Sequence, residues 1–427
     1  MNQRLFEFIE KSPTAYHTVN NINNYLLQKG FIELTEGTAW NVTSGGKYFV
    51  NRNGSSVIAF MIPEGRINSF MIAASHSDSP CFKLKDNPVF TESGYTKLSS
   101  EKYGGMINST WLDRPLSIAG RVVVEDNSII RSVLVDFNKP VAVIPNVAIH
   151  LNRKVNEDAT LNPAVDLVPV YATGDRTAEF NNTLAQLAGV DAESILSSDL
   201  FLYNLDKGVC IGDFISAPRL DDLQCVFASL EAFALTAPED SMPVLAVFDN
   251  EEVGSSTKQG ADSDFLTSVL MKVSSALNIQ SSEYADILAR SFMLSCDNGH
   301  AVHPNHPELT DKNNCVTING GVVIKYNANQ RYCTDAVSSA LVKTLCKRAN
   351  VPYQSYSNRS DIAGGSTLGN ISNTHLSVIT ADIGLAQFAM HSAVETAGYK
   401  DTFYLYELLK EFFSSSVKPL ENNSYTI

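Results

Sequence analysis

The feature that most constrains the fold is a short apolar run that ends in a cluster of acids. Residues 244–248, Val-Leu-Ala-Val-Phe, predict a buried strand, and Asp249, Glu251 and Glu252 follow directly. Like charges at the end of a buried strand repel each other, and burying them is costly unless a cation compensates. On this stretch alone a solvated acidic turn is the commoner alternative.

Three other predicted strands, at residues 70–74, 291–296 and 376–380, lead to acids or imidazoles. The polar residues that follow them are His76 with Asp78, Asp297 with His300, and Asp382 with His391 beyond it. Open α/β sheets bind ligands beyond the carboxyl ends of their strands, so we expect the four clusters to converge. Mixed His and carboxylate ligands suit Zn²⁺ or a similar divalent ion, and a carboxylate can bridge two ions. Together the clusters favour a metal site over a solvated turn.

The order of the predicted elements divides the chain into three parts. Strands alternate with helices at both ends, whereas residues 84–209 are β-rich, with strands predicted at 122–124, 129–137 and 141–147. We therefore predict an α/β fold with a mixed central sheet flanked by helices, formed by residues 1–83 and 210–427. A β-rich domain is inserted at residues 84–209. A chain of 427 residues is also long for one ordinary core.

Bulk properties exclude several classes of function. The formal net charge of −14 argues against nucleic acid and anionic membranes as partners. Seven cysteines without a CxxC pair suit buried thiols in a reducing compartment better than a disulfide framework. Charge interrupts the first ten residues, which is unlike a signal peptide, and no apolar run approaches the ~20 residues of a membrane span. We therefore expect a soluble, cytoplasmic protein.

Two further candidates have ordinary structural alternatives. Asp221 and Asp222 precede a helix predicted at residues 223–235, so either acid could be an N-cap, the commoner role for such an Asp. His150 alone is more typical of a satisfied interior histidine than of a catalytic one.

Several motifs together resemble a known family. They are His76-Ser77-Asp78-Ser79-Pro80, Arg219-Leu220-Asp221, Asp249-Asn250-Glu251-Glu252-Val253-Gly254-Ser255, Asp297 with His300-Ala301-Val302-His303-Pro304-Asn305, and Ala389-Met390-His391-Ser392. Lys325 with Gln330-Arg331-Tyr332, and His150 in its Leu-Asn-Arg setting, match further family landmarks. In this order, from residue 12 to residue 413, they resemble the aspartyl aminopeptidases, which belong to the co-catalytic zinc exopeptidases.

The resemblance implies a site with two zinc ions. His76 and Asp297 would hold one ion, Glu252 and His391 the other, and Asp221 would bridge them. It also implies that Asp78 orients His76 through a hydrogen bond and that Glu251 is the general base. The family often has Asn where this chain has Asp222, so both neighbouring carboxylates remain candidates for the bridge.

The resemblance further implies that the chain removes the N-terminal residue of peptides, with a preference for Asp or Glu. Lys325, in a strand predicted at residues 322–326, and His300 would bind the substrate, although a surface lysine is the ordinary alternative. The inserted domain would serve dimerisation and act as a lid, within a homododecamer built from dimers. His150 would act in a neighbouring subunit's active site.

Two other functions compete with this interpretation. A related di-zinc carboxypeptidase or N-deacylase would use the same metal chemistry, but Lys325 and the order of the motifs favour the aminopeptidase. A non-catalytic scaffold would lack a ligand or the base, and this sequence retains all of them.

Overall fold

The computed structural model describes residues 1–157, 160–422 and 424–427. Helices and strands are numbered in chain order. The first part of the chain contains α1 (Asn2–Glu10), α2 (Ala15–Gln28), β1 (Ile32–Leu34), β2 (Lys47–Arg52), β3 (Ser56–Met61) and β4 (Ser69–His76). The middle part contains β5 (Cys81–Glu92), β6 (Tyr95–Tyr103), β7 (Leu116–Asp126), β8 (Ile129–Asp136), β9 (Val170–Thr173), α3 (Thr177–Ala188) and β10 (Ile195–Asn204).

The last part of the chain returns to alternating strands and helices. It contains β11 (Val209–Ile211), β12 (Phe214–Ala217), α4 (Leu220–Ala234), β13 (Ser241–Phe248), α5 (Phe265–Ala276), α6 (Ser281–Ala289), β14 (Phe292–Cys296), β15 (Gly299–His300), β16 (Val322–Tyr326), α7 (Ala336–Arg348), β17 (Tyr353–Ser357), α8 (Leu368–His375), β18 (Ile379–Gly384), β19 (Ala386–Phe388), β20 (Glu395–Gly398), α9 (Asp401–Phe413), β21 (Lys418–Pro419) and β22 (Tyr425–Thr426).

A nine-stranded sheet with the order β1-β2-β3-β13-β4-β14-β18-β16-β17 forms the centre of the molecule. Neighbours β13, β4, β14 and β18 are parallel, whereas β3 runs antiparallel to β13 and β16 runs antiparallel to β18, so the sheet is mixed. Every residue of β3, β4, β13 and β14 is buried, as expected for apolar strands covered on both faces. The predicted α/β class with a mixed sheet and flanking helices is confirmed.

Helices cover the two faces of the central sheet. The apolar side chains of α1, α2, α4, α7 and α9 pack into one core cluster, and those of α5, α6 and α8 pack into a second. Among the described residues, no helix has both the length and the apolar character needed to cross a bilayer.

A separate six-stranded sheet, in the order β8-β7-β10-β5-β6-β9, draws all its strands from the middle part of the chain. Its core includes Phe180 and Leu184 of α3. The division into a catalytic domain and a domain inserted at residues 84–209 stays a prediction. That predicted span includes Asp158 and Ala159, which lie outside the described residues.

Two of the predicted strands are wrong in part. Residues 141–147 make only isolated bridges, because Pro140 precedes them, Pro145 lies among them, and a proline cannot donate to a ladder. The strand expected at 376–380 is β18 (Ile379–Gly384), because α8 occupies residues up to His375. Asp382 therefore lies inside a buried strand and not after its end.

Candidate metal centre

The carboxyl ends of three parallel neighbouring strands bring most of the candidate residues together. His76 is the last residue of β4, Glu251 and Glu252 follow β13, and Asp297 follows β14. Asn250 and Gly254 have φ values of +62° and +97°, a conformation that Asn and Gly tolerate. These two residues enclose one tight turn, so the chain leaves β13 abruptly and both glutamates stay at the sheet edge.

Asp221 lies between the two imidazoles of the cluster. Its Oδ1 is 3.4 Å from Nε2 of His76, and its Oδ2 is 3.5 Å from Nε2 of His391. The same Nε2 of His391 is 3.3 Å from Oε1 of Glu252. The two oxygens of one buried carboxylate therefore face two different histidines.

The potential ligand atoms form overlapping groups, in each of which all the atoms lie within 4.8 Å of one another. The groups are His76 with Asp221, Asp222 and Asp297; Asp221 with Glu252 and His391; and His76 with Glu251 and Glu252. Asp221 belongs to both of the first two groups, whereas Asp222, joined to it by a cis peptide bond, belongs to one.

The donor set fits divalent cations. Oδ1 of Asp221, Oδ1 of Asp222 and Oε1 of Glu252 are buried and accept no hydrogen bond. Burial raises the pKa of Asp222 and Glu252 well above the ordinary range, and it also raises the pKa of Asp297. A bound cation would compensate the buried oxygens that lack a hydrogen-bond donor, and it would stabilise the ionised form of these acids. Imidazole and carboxylate ligands are typical of zinc.

The carboxylate of Asp78 connects the turn after β13 to His76. Its Oδ1 accepts a hydrogen bond from the Glu251 N–H and its Oδ2 one from the Glu252 N–H, both at 3.2 Å. Oδ1 also lies 3.3 Å from Nδ1 of His76, and the Tyr103 hydroxyl donates to Oδ2 at 2.7 Å. The role of Asp78 in orienting His76 stays a prediction, and Nδ1 of His76 also lies 3.1 Å from the backbone oxygen of Asp78. Tyr103 carries no signal in the sequence, since it comes from the other sheet.

Glu395 is a second residue that sequence reasoning missed. Its carboxylate, 1% exposed, accepts hydrogen bonds from the Asp221 N–H at 2.9 Å and from the His391 N–H at 2.7 Å. His391 has φ of +65°, a left-handed conformation that is uncommon for histidine. Glu395 thus fixes the backbone of two cluster residues. An acid in a short strand four residues after His391 gives no sequence pattern from which this role could be predicted.

Glu251 is the acid that the resemblance implies as the general base. It is half-buried, and its backbone N–H is held by Asp78, while its carboxyl group lies within 4.8 Å of a His76 nitrogen. Burial, with repulsion from Asp297 and Asp78, raises the pKa of Glu251 to about 8. A carboxyl group with such a pKa can exchange a proton near neutral pH.

Lys325 reaches the cluster from an unexpected direction. Strand β16 is antiparallel to β18, so its carboxyl end lies at the opposite edge of the sheet from the carboxyl ends of β4, β13 and β14. The prediction that Lys325 joins the site because it lies near a strand end is therefore wrong in its reason. The long side chain, 3% exposed, nevertheless places Nζ 2.7 Å from the Asn298 carbonyl oxygen and 3.5 Å from Oδ1 of Asp297. Although burial opposes it, the charge of Asp297 raises the pKa of Lys325 above its ordinary value.

Three other candidates lie outside the metal groups. Asp382 is fully buried and accepts hydrogen bonds from the Thr367 hydroxyl and the Cys333 N–H, so it joins two loops. His300 ends β15, and its exposed ring lies 6.4 Å from that of Tyr356. His150 is exposed in a turn of the middle part of the chain. Asp221 and Asp222 lie at a kink near the start of α4 with non-helical ψ values of 108° and 18°, so the regular part of the helix follows them.

The family model for aminopeptidase I zinc metalloproteases (M18) matches residues 8–413. A probable M18 family aminopeptidase 2 from Clostridium novyi (strain NT) is 44% identical over 422 residues, covering 96% of this chain and 98% of the relative. A protein of the same description from Pseudomonas savastanoi pv. phaseolicola (strain 1448A / Race 6) is 38% identical over 432 residues, covering 98% and 99%.

Solved structures agree with these relatives. The crystal structure of yeast aminopeptidase 1 superposes with a TM-score of 0.86 at 30% identity, covering 96% of each chain. The mApe1 dodecamer from S. cerevisiae gives the same TM-score, identity and coverage. Ape4 in its complex with Nbr1 gives a TM-score of 0.93 at 34% identity, covering 96% of this chain and 85% of that one. The chain belongs to the M18 family of zinc metalloproteases and is a zinc-dependent aminopeptidase.

Proposed function

We propose that the chain hydrolyses the N-terminal residue from peptides at a site that holds two zinc ions. His76 and Asp297 would hold one ion, Glu252 and His391 the other, and Asp221 would bridge them. The observation that carries the proposal is the position of Asp221, whose two carboxylate oxygens lie 3.4 and 3.5 Å from two different imidazoles.

Bound zinc would polarise the scissile carbonyl and lower the pKa of a water molecule. The residues of the chain would then direct the protons. Glu251, a half-buried acid with a pKa of about 8, would take the proton of the attacking water and later deliver it to the leaving amine. Asp78 would hold His76 with Nδ1 protonated, leaving Nε2 free to bind metal.

A panel of aminoacyl-anilides, assayed with and without chelator, tests the proposal. We expect hydrolysis of substrates with a free α-amine, loss of activity with chelator, and recovery when zinc is restored. Matched N-acetylated anilides are the control, because a deacylase or carboxypeptidase would not require the free amine. Cleavage of the acetylated substrates, or activity that resists metal removal, would reject the proposed reaction.

We also propose a preference for N-terminal Asp and Glu, with Lys325 and His300 binding the substrate. Lys325 supplies a buried ammonium group, whose Nζ lies 2.7 Å from the Asn298 carbonyl oxygen and 3.5 Å from Oδ1 of Asp297. An ammonium group has three donors. A charge-assisted hydrogen bond to a substrate carboxylate is worth roughly 1.5–3 kcal/mol.

Lys325→Ala should therefore lower kcat/KM for Asp- and Glu-anilides roughly ten- to a hundredfold more than for Leu- and Ala-anilides. Some loss on every substrate is expected as well, since Asp297 loses its neighbouring cation. The ratio of kcat/KM for acidic and neutral substrates is the quantity to measure.

Lys343→Ala is the matched control for that ratio. The Lys343 ammonium lies 5.9 Å from the ring of Tyr326, much as that of Lys325 lies 5.5 Å from the ring of Tyr332. The Lys343 variant should leave the ratio unchanged. An equal loss on acidic and neutral substrates in the Lys325 variant would make Lys325 a support for Asp297 alone.

We further propose a homo-oligomer, a dodecamer built from dimers, in which His150 acts in the active site of a neighbouring subunit. One structural relative is a dodecamer. The turn around His150 carries unusually exposed apolar side chains, with Val147, Ile149 and Leu151 at 52%, 49% and 83% exposure. Their exposure supports the proposal that this turn contacts another subunit. A cytoplasmic location remains a prediction from the cysteine pattern.

Mixing two inactive variants tests the role of His150 directly. We expect His150→Ala to be inactive and Glu251→Gln to be nearly inactive, each with the size of the wild-type assembly in light scattering. Subunits of the two variants, mixed and reassembled, should regain activity. Sites with Glu251 from one chain and His150 from the other would then be complete.

His306→Ala is the control, because His306 is also exposed but lies outside the middle part of the chain. It should be active without any partner. A fully active monomer, or mixtures that stay inactive although they co-assemble, would contradict a site shared between subunits.

A further inference from the structure

The segment that follows β6 touches the metal centre, although β6 belongs to the six-stranded sheet. The carbonyl oxygen of Gly105 lies 2.6 Å from Nδ1 of His391. Gly104 has φ of +75°, and a Cβ added there would lie 3.2 Å from Cβ of Glu252. Tyr103 precedes them and places its hydroxyl between Asp78 and Asn250.

We propose that Tyr103 is a positioning residue of the metal centre, which acts through Asp78 on His76. The inference rests on the proposed function, because it concerns how well a zinc ligand is held. The Tyr103 hydroxyl donates to Oδ2 of Asp78 at 2.7 Å and accepts from Nδ2 of Asn250 at 2.8 Å. The phenol ring packs edge-on against Phe201, with 5.8 Å between ring centroids, so the hydroxyl is held from the ring side as well.

The hydroxyl influences which oxygen His76 uses. Nδ1 of His76 has two acceptors within reach, Oδ1 of Asp78 at 3.3 Å and the backbone oxygen of the same residue at 3.1 Å. Tyr103 makes the shorter of two hydrogen bonds to Oδ2, since the Glu252 N–H donates to the same oxygen at 3.2 Å. Without the hydroxyl the carboxylate is held by the two backbone N–H groups alone, so it is oriented less firmly, and the backbone carbonyl, already the nearer acceptor, gains weight as the partner of Nδ1.

The two partners differ in their effect on a metal ligand. A carboxylate acceptor makes an imidazole more basic than a neutral carbonyl does, and losing such an outer partner typically costs about 10–100-fold in metal affinity. Tyr103 is one contact further from the metal than Asp78, so we expect its loss to lower metal affinity by an amount near the lower end of that range, about tenfold.

Tyr103→Phe removes only the hydroxyl and keeps the packing on Phe201. Its zinc affinity, measured by competition with a chromophoric chelator at fixed pH, should be about tenfold lower than that of the wild type. Tyr16→Phe is the matched control, since the Tyr16 hydroxyl also donates to an aspartate, Asp199 at 3.1 Å, and its ring also packs near Phe201, at 6.4 Å. This variant should bind zinc like the wild type.

The melting temperature separates positioning from ordinary stabilisation. A merely structural phenol would lower the melting temperature in both variants and leave zinc affinity unchanged, and equal affinities in Tyr103→Phe and wild type would overturn the inference. In an Asp78→Asn background, Tyr103→Phe should add little further loss, because its route to His76 is already broken. The same loss in both backgrounds would overturn the inference too. A wild-type protein that binds no zinc would reject the proposed function itself.

Discussion

Glu251→Gln is expected to lower kcat by on the order of 10²–10⁴-fold while the protein keeps its fold and its metal. The amide has nearly the shape of the carboxyl group but cannot take a proton from water. The backbone N–H of Glu251, which donates to Asp78, is unaffected by the change. Steady-state kinetics and elemental analysis of the same preparation are the measurements needed.

The neighbouring residue provides the control. Glu252 belongs to a potential ligand group with Asp221 and His391, and its Oε1 is buried without a donor. Glu252→Gln should therefore lose metal together with activity, whereas Glu251→Gln should lose activity alone. A Glu251 variant with near-normal turnover and bound metal would show that another group is the base.

The pH profile gives a second expected result. A base acts in its ionised form, so kcat/KM of the wild type should fall as the pH drops through the pKa of Glu251. Burial and the neighbouring acids raise that pKa to about 8, and the nearby charge of bound metal would lower it. The residual kcat/KM of Glu251→Gln should not show this fall at low pH, the acid limb of the profile. An unchanged limb in the variant would assign the titration to another group.

Local sequence patterns were enough for the elements with strong periodicity or clear caps. The strand predicted at residues 322–326 has the bounds of β16, and the amphipathic pattern of residues 401–413 coincides with α9. Strand-to-helix punctuation is equally clear before α7, where Asp335 and Ser338 form a capping box. The polar strand ends were equally informative, because parallel neighbours in a sheet bring their carboxyl ends to one edge.

Features that depend on long-range pairing could not be predicted in this way. Nothing in residues 322–326 indicates that β16 runs antiparallel to β18, and this direction decides how Lys325 approaches the cluster. Asp382 has the same sequence context as the other strand-end acids but is satisfied by two loops. Tyr103 and Glu395 act through contacts over 25 and 174 residues, with Asp78 and Asp221.

Asp221→Asn is expected to release metal from the site and to abolish activity with it. Asp221 belongs both to the ligand group that contains Asp297 and to the group that contains His391. Its substitution should therefore weaken metal binding at both proposed positions. A neutral amide also compensates two dications poorly. Metal content per subunit, measured after desalting, should fall far below that of the wild type.

Asp222→Asn should be much milder, and the difference between these adjacent acids follows from their surroundings. Burial opposes ionisation of Asp221, but His391 and His76 hold its pKa well below the usual range, so it is an anion. Burial raises the pKa of Asp222 well above the usual range, so its carboxyl group favours the protonated form, which Asn imitates. Oδ2 of Asp222 accepts a long hydrogen bond, 3.3 Å, from the backbone N–H of His76, and an amide oxygen can replace it there. Greater metal loss in Asp222→Asn than in Asp221→Asn would move the bridge to Asp222 and overturn the assignment that the two facing imidazoles support.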